Sequence, residues 1–481
     1  MNKTSYSTVV IGAGAGGLVL AVGSAAAGKD ILLVERGNYG GDCTNFGCIP
    51  SKALIASAHA AYMIKEAKAY GIHTSFEKID CSAALQRCRN IVEQFRSHET
   101  PEVLEKLGVH CLTGEASFLD PHHIEVICSD GNKIKIEGKR FVIATGSHPF
   151  IPPISGIEKI SYLTNETIFQ LEKIPERLAV IGGGPIGVEL AQAFQRLGSY
   201  VHLIEFMPEL LSREAPIAQE ILKKQLENEG LQLYLNHESK LLEKSDNGTV
   251  IHLESRSDKK RTVIEIDHVL FAVGRRPNLE KLNLPAANIQ NNHLGIITDS
   301  YGRSSQKHIY AVGDVSSSAQ FTHIAENRAR SVLTSLLIPG FFQSKIDEKQ
   351  AIPRVTYTDP ELASIGLSES EAHEKYGEHK ITTYTIPFQQ VDRAICEGRE
   401  EGVLQVVTKK WSSKILGATI VAPRAGEMLN ELSLAMHTKT PLRKLAKLIH
   451  PYPTYSLAIR KAADLWLKET ILGTIRSLFS R

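Results

Sequence analysis

Two cysteines, Cys43 and Cys48, lie five positions apart in the stretch GGDCTNFGCIPSK at residues 40–52. A zinc site would separate its cysteines by about two to four residues and would need a second pair. A thioredoxin-type site would have the spacing C-x-x-C. The chain has seven cysteines, and the other five are scattered without a matching pair. We therefore predict a different chemistry for Cys43 and Cys48.

The residues around Cys48 favour a reactive thiolate. Residues five apart in a regular helix rise ~7.5 Å and their side chains diverge, whereas a disulfide needs Cα atoms within roughly 7 Å. Cys43 and Cys48 can therefore pair only if the segment is kinked, and Gly47 gives the backbone that freedom. Pro50 predicts the start of a helix, with Cys48 just before it and Lys52 one turn further on. The helix dipole and the Lys52 ammonium should both lower the pKa of the Cys48 thiol.

The elements that must position these cysteines begin with a nucleotide-binding unit at the N-terminus. The strand TVVIGAGAGG leads into a Gly-x-Gly-x-x-Gly turn, formed by Gly12, Gly14 and Gly17, and then into an alanine-rich helix. Such glycines permit a tight turn and close approach of the backbone to a pyrophosphate, which the helix N-terminus also attracts. The strand DILLVE ends at Glu35, where a carboxylate can accept a hydrogen bond from a ribose hydroxyl.

The same pattern recurs 170 residues later. The stretch LAVIGGGPIGVELAQAF contains Gly182, Gly184 and Gly187, and the strand YVHLIE ends at Glu205. A carboxylate at this position accepts from the ribose 2′-hydroxyl and repels a 2′-phosphate, which favours NADH over NADPH. Arg213, eight residues on, is the alternative signal, since it would favour a phosphate. Two dinucleotide units indicate an electron relay in which one cofactor is tightly held and the other exchanges.

Composition narrows the class of protein. The 481 residues are 42% hydrophobic and 22% charged, which is typical of a globular protein with several domains. A net charge of +2 without a long basic run argues against a nucleic-acid partner. No apolar run approaches the ~18 residues that span a bilayer, and the N-terminus enters a strand at once, without room for a signal peptide. Scattered cysteines fit a reducing compartment, so we expect a cytoplasmic protein.

The stretch from Gly41 to Lys52 resembles the redox-active site of the class I pyridine nucleotide-disulfide oxidoreductases, which include dihydrolipoamide dehydrogenase, glutathione reductase and mercuric reductase. The resemblance extends over the whole chain, through ATGS, VGRRPN, AVGDV and PRVTYTDPELASIGL. It implies an α/β fold with two Rossmann-like dinucleotide-binding units plus a C-terminal α+β dimerisation domain. The implied domains are 1–150 (first part of the FAD-binding domain), 151–274 (NAD(P)H-binding domain), 275–345 (FAD-binding central region) and 350–481 (dimerisation domain).

The resemblance also implies roles for individual residues. FAD would bind the first unit and NAD(P)H the second. Cys48 would be the thiolate against the flavin and Cys43 the thiol that exchanges with substrate, whereas a purely structural disulfide is the alternative. Lys52 would lie near the flavin and pair with Glu189, because a buried ammonium needs a partner. The implied contacts to FAD are Gly12, Gly14, Gly17, Glu35, Gly41, Thr44, Lys52, Ala116, Thr145, Gly146, Asp314 and Thr322, and those to the nucleotide are Gly182, Gly184, Gly187, Glu205 and Gly274.

The C-terminal region departs from the thiol-exchanging relatives. Those relatives have a His-Pro-Thr followed by a glutamate, and the histidine serves the dithiol of the partner subunit. In LIHPYPTYSLAIRKAAD the corresponding residues are Tyr452 and Leu457. A phenol with a pKa of ~10 is a poorer base near neutral pH than an imidazole near 6.5. His450 is the alternative acid-base group, and the sharing of sites implies an obligate homodimer.

The stretches HPYPTYS and VDRAICEGREEG resemble the mercuric-reductase-like branch, although no cysteine follows Cys396 to receive a metal ion. We expect an FAD-dependent oxidoreductase that prefers NADH, has no resident metal centre, and passes electrons through Cys43 and Cys48 to a disulfide, metal-ion or quinone acceptor. The alternatives are a dihydrolipoamide dehydrogenase of a 2-oxoacid dehydrogenase complex, and a redox-sensing or binding subunit with vestigial turnover. A C-terminal amphipathic helix, packed on the dimer or directed at a partner or membrane, is predicted from Trp466, Ile471, Ile475 and Phe479.

Overall fold

The computed structural model describes residues 3–74, 78–316, 319–338, 343–347 and 349–472 of the chain. The strands up to residue 149 are β1 (Ser5–Tyr6), β2 (Thr8–Ile11), β3 (Ile31–Glu35), β4 (His110–Thr113), β5 (Glu115–Asp120), β6 (His123–Ile127), β7 (Lys133–Gly138), β8 (Phe141–Ile143) and β9 (Ser147–Pro149). The helices in the same region are α1 (Ala15–Ala26), α2 (Gly41–Asn45), α3 (Cys48–Glu66), α4 (Cys81–Arg96) and α5 (Pro101–Lys106).

The middle of the chain continues with β10 (Tyr162–Leu163), β11 (Arg177–Ile181), α6 (Pro185–Arg196), β12 (Tyr200–Glu205), α7 (Pro216–Asn228), β13 (Gln232–Leu235), β14 (His237–Ser245), β15 (Gly248–Ser255), β16 (Arg261–Ile266) and β17 (His268–Phe271). It is followed by β18 (Arg275–Pro277), β19 (Asn291–Asn292), β20 (Gly295–Ile296), β21 (Ile309–Ala311) and α8 (Thr322–Leu337). The last region contains β22 (Arg354–Thr356), β23 (Glu361–Gly366), α9 (Glu369–Tyr376), β24 (Ile381–Pro387), α10 (Asp392–Cys396), β25 (Val403–Lys409), β26 (Ile415–Ala422), α11 (Ala425–His437), α12 (Leu442–Leu445) and α13 (Leu457–Trp466).

The first unit is a parallel sheet with the strand order β21-β8-β2-β3-β4. The strand TVVI of β2 is buried at every position, as expected for a central strand that is covered on both faces. The chain leaves this sheet after β8 and returns to it only at β21. A mixed sheet with the order β1-β7-β6-β5 lies beside it, in which β1 runs parallel to β7 and the other pairs are antiparallel. The first unit is therefore completed by a segment that follows the second unit.

The second unit repeats this architecture with the order β10-β17-β11-β12-β13, and β14, β15 and β16 form an antiparallel sheet beside it. The two glycine-rich turns have equivalent local contacts. Gly12 has φ +104° and Gly182 has φ +118°. A Cβ atom at either position would lie 2.4 Å from a backbone carbonyl oxygen, that of Ala144 or that of Ala272. Only glycine fits both the positive φ and this contact.

The C-terminal domain is an antiparallel sheet with the order β22-β23-β26-β25-β24, against which α11 and α13 pack. The expected fold class, two Rossmann-like units plus a C-terminal α+β domain, is confirmed. The domain leaves apolar or aromatic side chains exposed on α11 and on the segment before α13. These exposed residues are Leu434, Leu448, Ile449 and Tyr452.

A buried ionic cluster joins the three regions. Arg196 on α6 pairs with Glu229 at 2.6 Å and with Asp359 at 2.9 Å, and both Arg196 and Glu229 have side chains that are only 4% exposed. Arg399 also pairs with Asp359. The Nδ1 atom of His59, on α3, lies 3.1 Å from Asp359. Buried charges persist only when they are paired, so this cluster fixes α3 against both the second unit and the C-terminal domain.

The predicted C-terminal amphipathic helix is described only in part. Trp466 ends α13, is buried, and donates its indole N–H to the Lys410 carbonyl at 3.2 Å. This part of the helix therefore packs on its own domain. The predictions for Ile475 and Phe479 lie outside the described residues. No helix among the described residues has both the length and the apolar character needed to cross a bilayer.

Candidate functional site

A cavity of about 1190 Å³ lies along the carboxyl edge of the first parallel sheet. It is larger than the roughly 300–1,000 Å³ of ordinary small-molecule pockets. Ligands of open α/β sheets bind at this edge, where the glycine-rich turn and the following helix begin. The sequence-predicted residues that line the cavity are Gly12, Gly14, Glu35, Gly41, Cys43, Cys48, Lys52, Ala116, Thr145, Gly146, Glu189, Asp314 and Thr322.

One end of the cavity fits a dinucleotide. Glu35 accepts from the backbone N–H of Ala13 at 2.7 Å and from that of Gly37 at 2.8 Å, which fixes its carboxylate at the end of β3. A Cβ atom on Gly41 would lie 2.5 Å from the Cα atom of Gly14, so the two backbones are in direct contact. A Cβ atom on Gly14 would find only Gly41 nearby, at 3.8 Å. The backbone here is therefore bare toward the cavity, as close approach to a pyrophosphate requires.

Two predicted FAD contacts do not line the cavity. A Cβ atom on Gly17 would lie 1.9 Å from the Gly12 carbonyl oxygen, so Gly17 serves the packing of α1 against the turn. Thr44 is buried and packs against Gly40. The structure therefore places both residues behind the cavity wall.

The two cysteines lie at the other end, on consecutive helices. Cys43 belongs to α2, and α3 begins at Cys48 itself, so the prediction that the helix starts at Pro50 is wrong. The first N–H groups of a helix need no intrahelical acceptor, which makes the third position acceptable for proline. Gly47 separates the two helices, and a Cβ atom there would lie 3.3 Å from the Cα atom of Cys43. Gly47 thus lets α2 fold back so that the two sulfur atoms interact.

The two thiols have opposite acidities. A hydrogen bond from Cys43, together with that of Thr322 and the charge of Lys52, lowers the pKa of Cys48 to about 6 although burial opposes this shift. The same hydrogen bond, and then burial, raises the pKa of Cys43 far above its ordinary value. The sulfur of Cys48 lies 3.6 Å from the hydroxyl oxygen of Thr322. When the reduced pair holds a single proton, that proton therefore stays on Cys43 and Cys48 is the thiolate.

This asymmetry predicts a pH dependence. Because the pKa of Cys48 is lowered, its thiolate should appear as the pH rises through about 6 and persist above it. Replacing Lys52 with methionine should move this midpoint upward by roughly one pH unit, because a nearby positive charge is lost. The ultraviolet absorbance of the thiolate in the reduced protein measures the midpoint.

The matched control is Lys133→Met, because Lys133 forms a 3.0 Å ion pair with Glu125 and does not line the cavity. It should leave the midpoint unchanged. An unperturbed midpoint near 8.5 in the wild-type protein would contradict the assignment of Cys48 as the thiolate.

The ammonium of Lys52 lies 2.8 Å from Glu189, whose side chain is 7% exposed. The second oxygen of Glu189 accepts from the backbone N–H of Tyr357 at 2.8 Å. Lys52 also lies over the Tyr357 ring, 4.5 Å from its centre. The carboxylate and the ring thus fix a positive charge in the cavity wall beside Cys48, where it can stabilise negative charge.

A polar chain that sequence reasoning missed runs along the cavity from Asp314 to the cysteines. Asp314 accepts from the Ser147 hydroxyl at 2.6 Å, and Ser147 accepts from the Arg275 guanidinium at 2.8 Å. Arg275 also lies 3.0 Å from the carboxylate of Asp42, which precedes Cys43. The charged residues inside VGRRPN and GGDC were the signals available in the sequence.

The glycines of the second turn lie outside the cavity described above, but Pro185 and Ile186 of the same turn line it, so this turn borders the cavity. Glu205 accepts from the backbone N–H groups of Gly183 and Met207, which repeats the arrangement of Glu35. A Cβ atom on Gly187 would lie 1.9 Å from the Gly182 carbonyl oxygen. Around Gly184 and Gly274 the space is open, with no atom within 4 Å of an added Cβ.

The C-terminal candidates also lie away from this cavity. His450 is buried, and its Nε2 atom lies 3.1 Å from Glu431 on α11, a partner that sequence reasoning missed. Tyr452 is 73% exposed, and a hydrogen bond to Asp392 raises the pKa of its phenol. Leu457, at the start of α13, is buried. Within one protomer, Tyr452 is therefore presented to the outside whereas His450 is held inside.

Comparison with known proteins agrees with this architecture. The chain matches the family model described as pyridine nucleotide-disulphide oxidoreductase over residues 6–329, and the dimerisation domain of that family over residues 352–463. It is 34% identical over 474 residues to a mercuric reductase of Lysinibacillus sphaericus, which covers 97% of this chain and 84% of that protein. It is 33% identical over 473 residues to dihydrolipoyl dehydrogenase 3 of Haloarcula marismortui, which covers 96% of each.

Among solved structures, the Cu(II) complex of the HOCl-induced flavoprotein disulfide reductase RclA from Escherichia coli is similar at 28% identity. The TM-score is 0.86, and the match covers 97% of this chain and 100% of that one. The fold, the two glycine-rich turns and these matches agree over the length of the described chain. This protein is therefore a member of the pyridine nucleotide-disulphide oxidoreductase family, an FAD-dependent enzyme class that includes the mercuric reductases and the dihydrolipoyl dehydrogenases.

Proposed function

We propose that this enzyme oxidises NADH and passes two electrons through the Cys43–Cys48 pair to a small acceptor, with a metal ion favoured. The observation that carries the proposal is the position of the Cys48 thiolate in the dinucleotide cavity, beside Lys52 and Thr322. FAD, when bound there, would accept the hydride of the nicotinamide and deliver two electrons to the disulfide. The product is one thiol and one thiolate, which matches the opposite pKa shifts of Cys43 and Cys48.

The carboxylate of Glu205 supports the choice of NADH. It is fixed at the end of β12 by two backbone N–H groups and carries a negative charge where the adenosine ribose would bind. A 2′-phosphate would meet this charge, whereas a 2′-hydroxyl would donate to it. Arg213, the alternative signal, is exposed on the surface.

The acceptor is inferred from the acid-base groups. Exchange with an organic disulfide needs a base near neutral pH that moves a proton at Cys43. Tyr452 has a raised pKa, and the imidazole of His450 is buried against Glu431 of its own subunit. A soft metal ion needs no such base, because it binds thiolates directly. This favours a metal ion, with a quinone as the second candidate, over an organic disulfide such as lipoamide.

The family's dimerisation domain supports a homodimer. The exposed side chains of Leu434, Leu448, Ile449 and Tyr452 are the surface that a second copy would cover. Tyr452 would then complete the partner's site, as predicted from the sequence. The proposed domain limits remain 1–150, 151–274, 275–345 and 350–481, and the scattered cysteines support a cytoplasmic location.

An anaerobic titration of the purified holoenzyme with NADH, and separately with NADPH, tests the relay. We expect a long-wavelength thiolate–flavin absorbance to grow while the flavin stays oxidised, at a lower concentration of NADH than of NADPH. Steady-state turnover with Hg(II), Cu(II), benzoquinone and oxidised lipoamide then ranks the acceptors. Simple bleaching of the flavin would overturn the dithiol pathway, and fastest turnover with lipoamide would overturn the preference for a metal ion.

A further inference from the structure

Asp42, the residue before Cys43, is bound both to the strand by which the chain returns to the first unit and to the second unit itself. The chain passes out of the first unit through β9 and returns through β18, and these strands pair with each other in antiparallel register. Arg275 in β18 lies 3.0 Å from one carboxylate oxygen of Asp42. Asn165, in the second unit between β10 and β11, donates to the same oxygen at 3.0 Å.

The same groups also hold the far end of the cysteine loop. The side-chain amide of Asn165 donates to the carbonyl of Phe46 at 3.3 Å, and the N–H of Phe46 donates to the carbonyl of Asp42 at 2.8 Å. The second carboxylate oxygen of Asp42 lies 3.0 Å from the position that a Cβ atom on Gly47 would take. The carboxylate therefore lies inside the loop that separates Cys43 from Cys48.

The two side chains that bind the Asp42 carboxylate are themselves largely buried. The side chain of Arg275 is 11% exposed, and Asn165 is 6% exposed. Arg275 further donates to the Ser147 carbonyl at 2.9 Å, in the strand that pairs with its own. Other contacts thus fix the positions of the two groups that donate to Asp42. A carboxylate bound by such fixed donors has little conformational freedom, and this also restrains the helical turn that carries Cys43.

We propose that Asp42 is a positioning residue that holds Cys43 within bonding reach of Cys48 and so stabilises their disulfide. This inference rests on the proposed function, in which the two cysteines interconvert between disulfide and dithiol. Closure of the disulfide depends on the effective concentration of one thiol at the other. Loss of the Asp42 contacts lets the short helix α2 shift away from α3, which lowers that concentration and favours the dithiol.

The test is the equilibrium of the holoenzyme with dithiothreitol. Reduction transfers two electrons and one proton from dithiothreitol to the protein, so that the Cys43–Cys48 bond breaks and the Cys43 thiol and the Cys48 thiolate form, while the reagent closes to its cyclic disulfide and releases its second proton to solvent. Alkylation of the free thiols followed by mass spectrometry gives the equilibrium constant. We expect Asp42→Asn and Asn165→Ala each to favour the dithiol by about tenfold, because each loses part of the preorganisation.

Glu125→Gln is the matched control, because it breaks a 3.0 Å ion pair with Lys133 in the hairpin of β6 and β7. It should leave the equilibrium constant unchanged. Equilibrium constants within twofold of wild type for both Asp42→Asn and Asn165→Ala, in proteins that retain flavin, would overturn the proposal. Asn165→Ala decides alone if Asp42→Asn does not fold, because it leaves the Asp42–Arg275 pair in place. Absence of any disulfide in the wild-type enzyme would instead overturn the proposed function.

Discussion

Replacement of Cys48 with serine should abolish the thiolate–flavin absorbance and reduce acceptor turnover by roughly 10³-fold or more, the scale of loss when a covalent group is removed. A serine hydroxyl neither ionises near neutral pH nor forms a disulfide with Cys43. Its volume is close to that of cysteine, so the cavity should still bind FAD. The flavin spectrum of the purified variant and its steady-state rate with NADH and Hg(II) provide the measurement.

Cys128→Ser is the appropriate control, because Cys128 is also a free cysteine but lies between β6 and β7, away from the cavity lining. This variant should retain both the absorbance and the rate. A Cys48→Ser protein that is purified without flavin would indicate that Cys48 supports the structure of the site. A variant that retains full turnover would show that electrons reach the acceptor without the dithiol.

Alanine at Gly14 should release FAD, whereas alanine at Gly184 should spare FAD and raise the KM for NADH by about 10- to 100-fold. Each residue has an extended backbone conformation that alanine adopts freely. An added Cβ at Gly14 would have only the Gly41 Cα atom nearby, at 3.8 Å, and one at Gly184 would have no neighbour within 4 Å. The protein itself therefore tolerates both methyl groups. The expected losses arise because each methyl group occupies the space of a bound pyrophosphate, where one carbon costs about 10- to 200-fold in affinity.

The two variants serve as controls for each other. The flavin absorbance of the purified protein, relative to its protein absorbance, measures FAD loss in Gly14→Ala. Initial rates as a function of NADH concentration measure the KM of Gly184→Ala. The reverse result, with flavin lost from Gly184→Ala, would mean that the cofactors are assigned to the wrong units. Gly12→Ala would not be informative, because its Cβ atom would lie 2.4 Å from the Ala144 carbonyl oxygen and would disturb the turn whether or not a ligand binds.

The sequence by itself determined the two dinucleotide units. The order of strand, glycine turn, helix and acidic strand end depends on backbone sterics and short-range hydrogen bonds. Both are determined by residues that are close together in the sequence. Glu35 and Glu205 accordingly bind equivalent backbone N–H groups in the two units. The location of Cys48 at a helix N-terminus was also predictable. The helix begins at Cys48, two residues before the predicted start at Pro50, because proline is tolerated at the third helical position.

Only the tertiary structure decided which distant groups meet. Lys52 and Glu189 are 137 positions apart, and their pairing came from family resemblance alone. The contact of Asp42 with Arg275 and the burial of His450 against Glu431 were not predicted at all. Such contacts depend on how α3, β18 and α11 pack against other elements, and no periodicity in the chain encodes that packing. Local residue patterns therefore specified the two glycine-rich turns and their acidic strand ends, whereas packing between domains specified the charges that act on the cysteines.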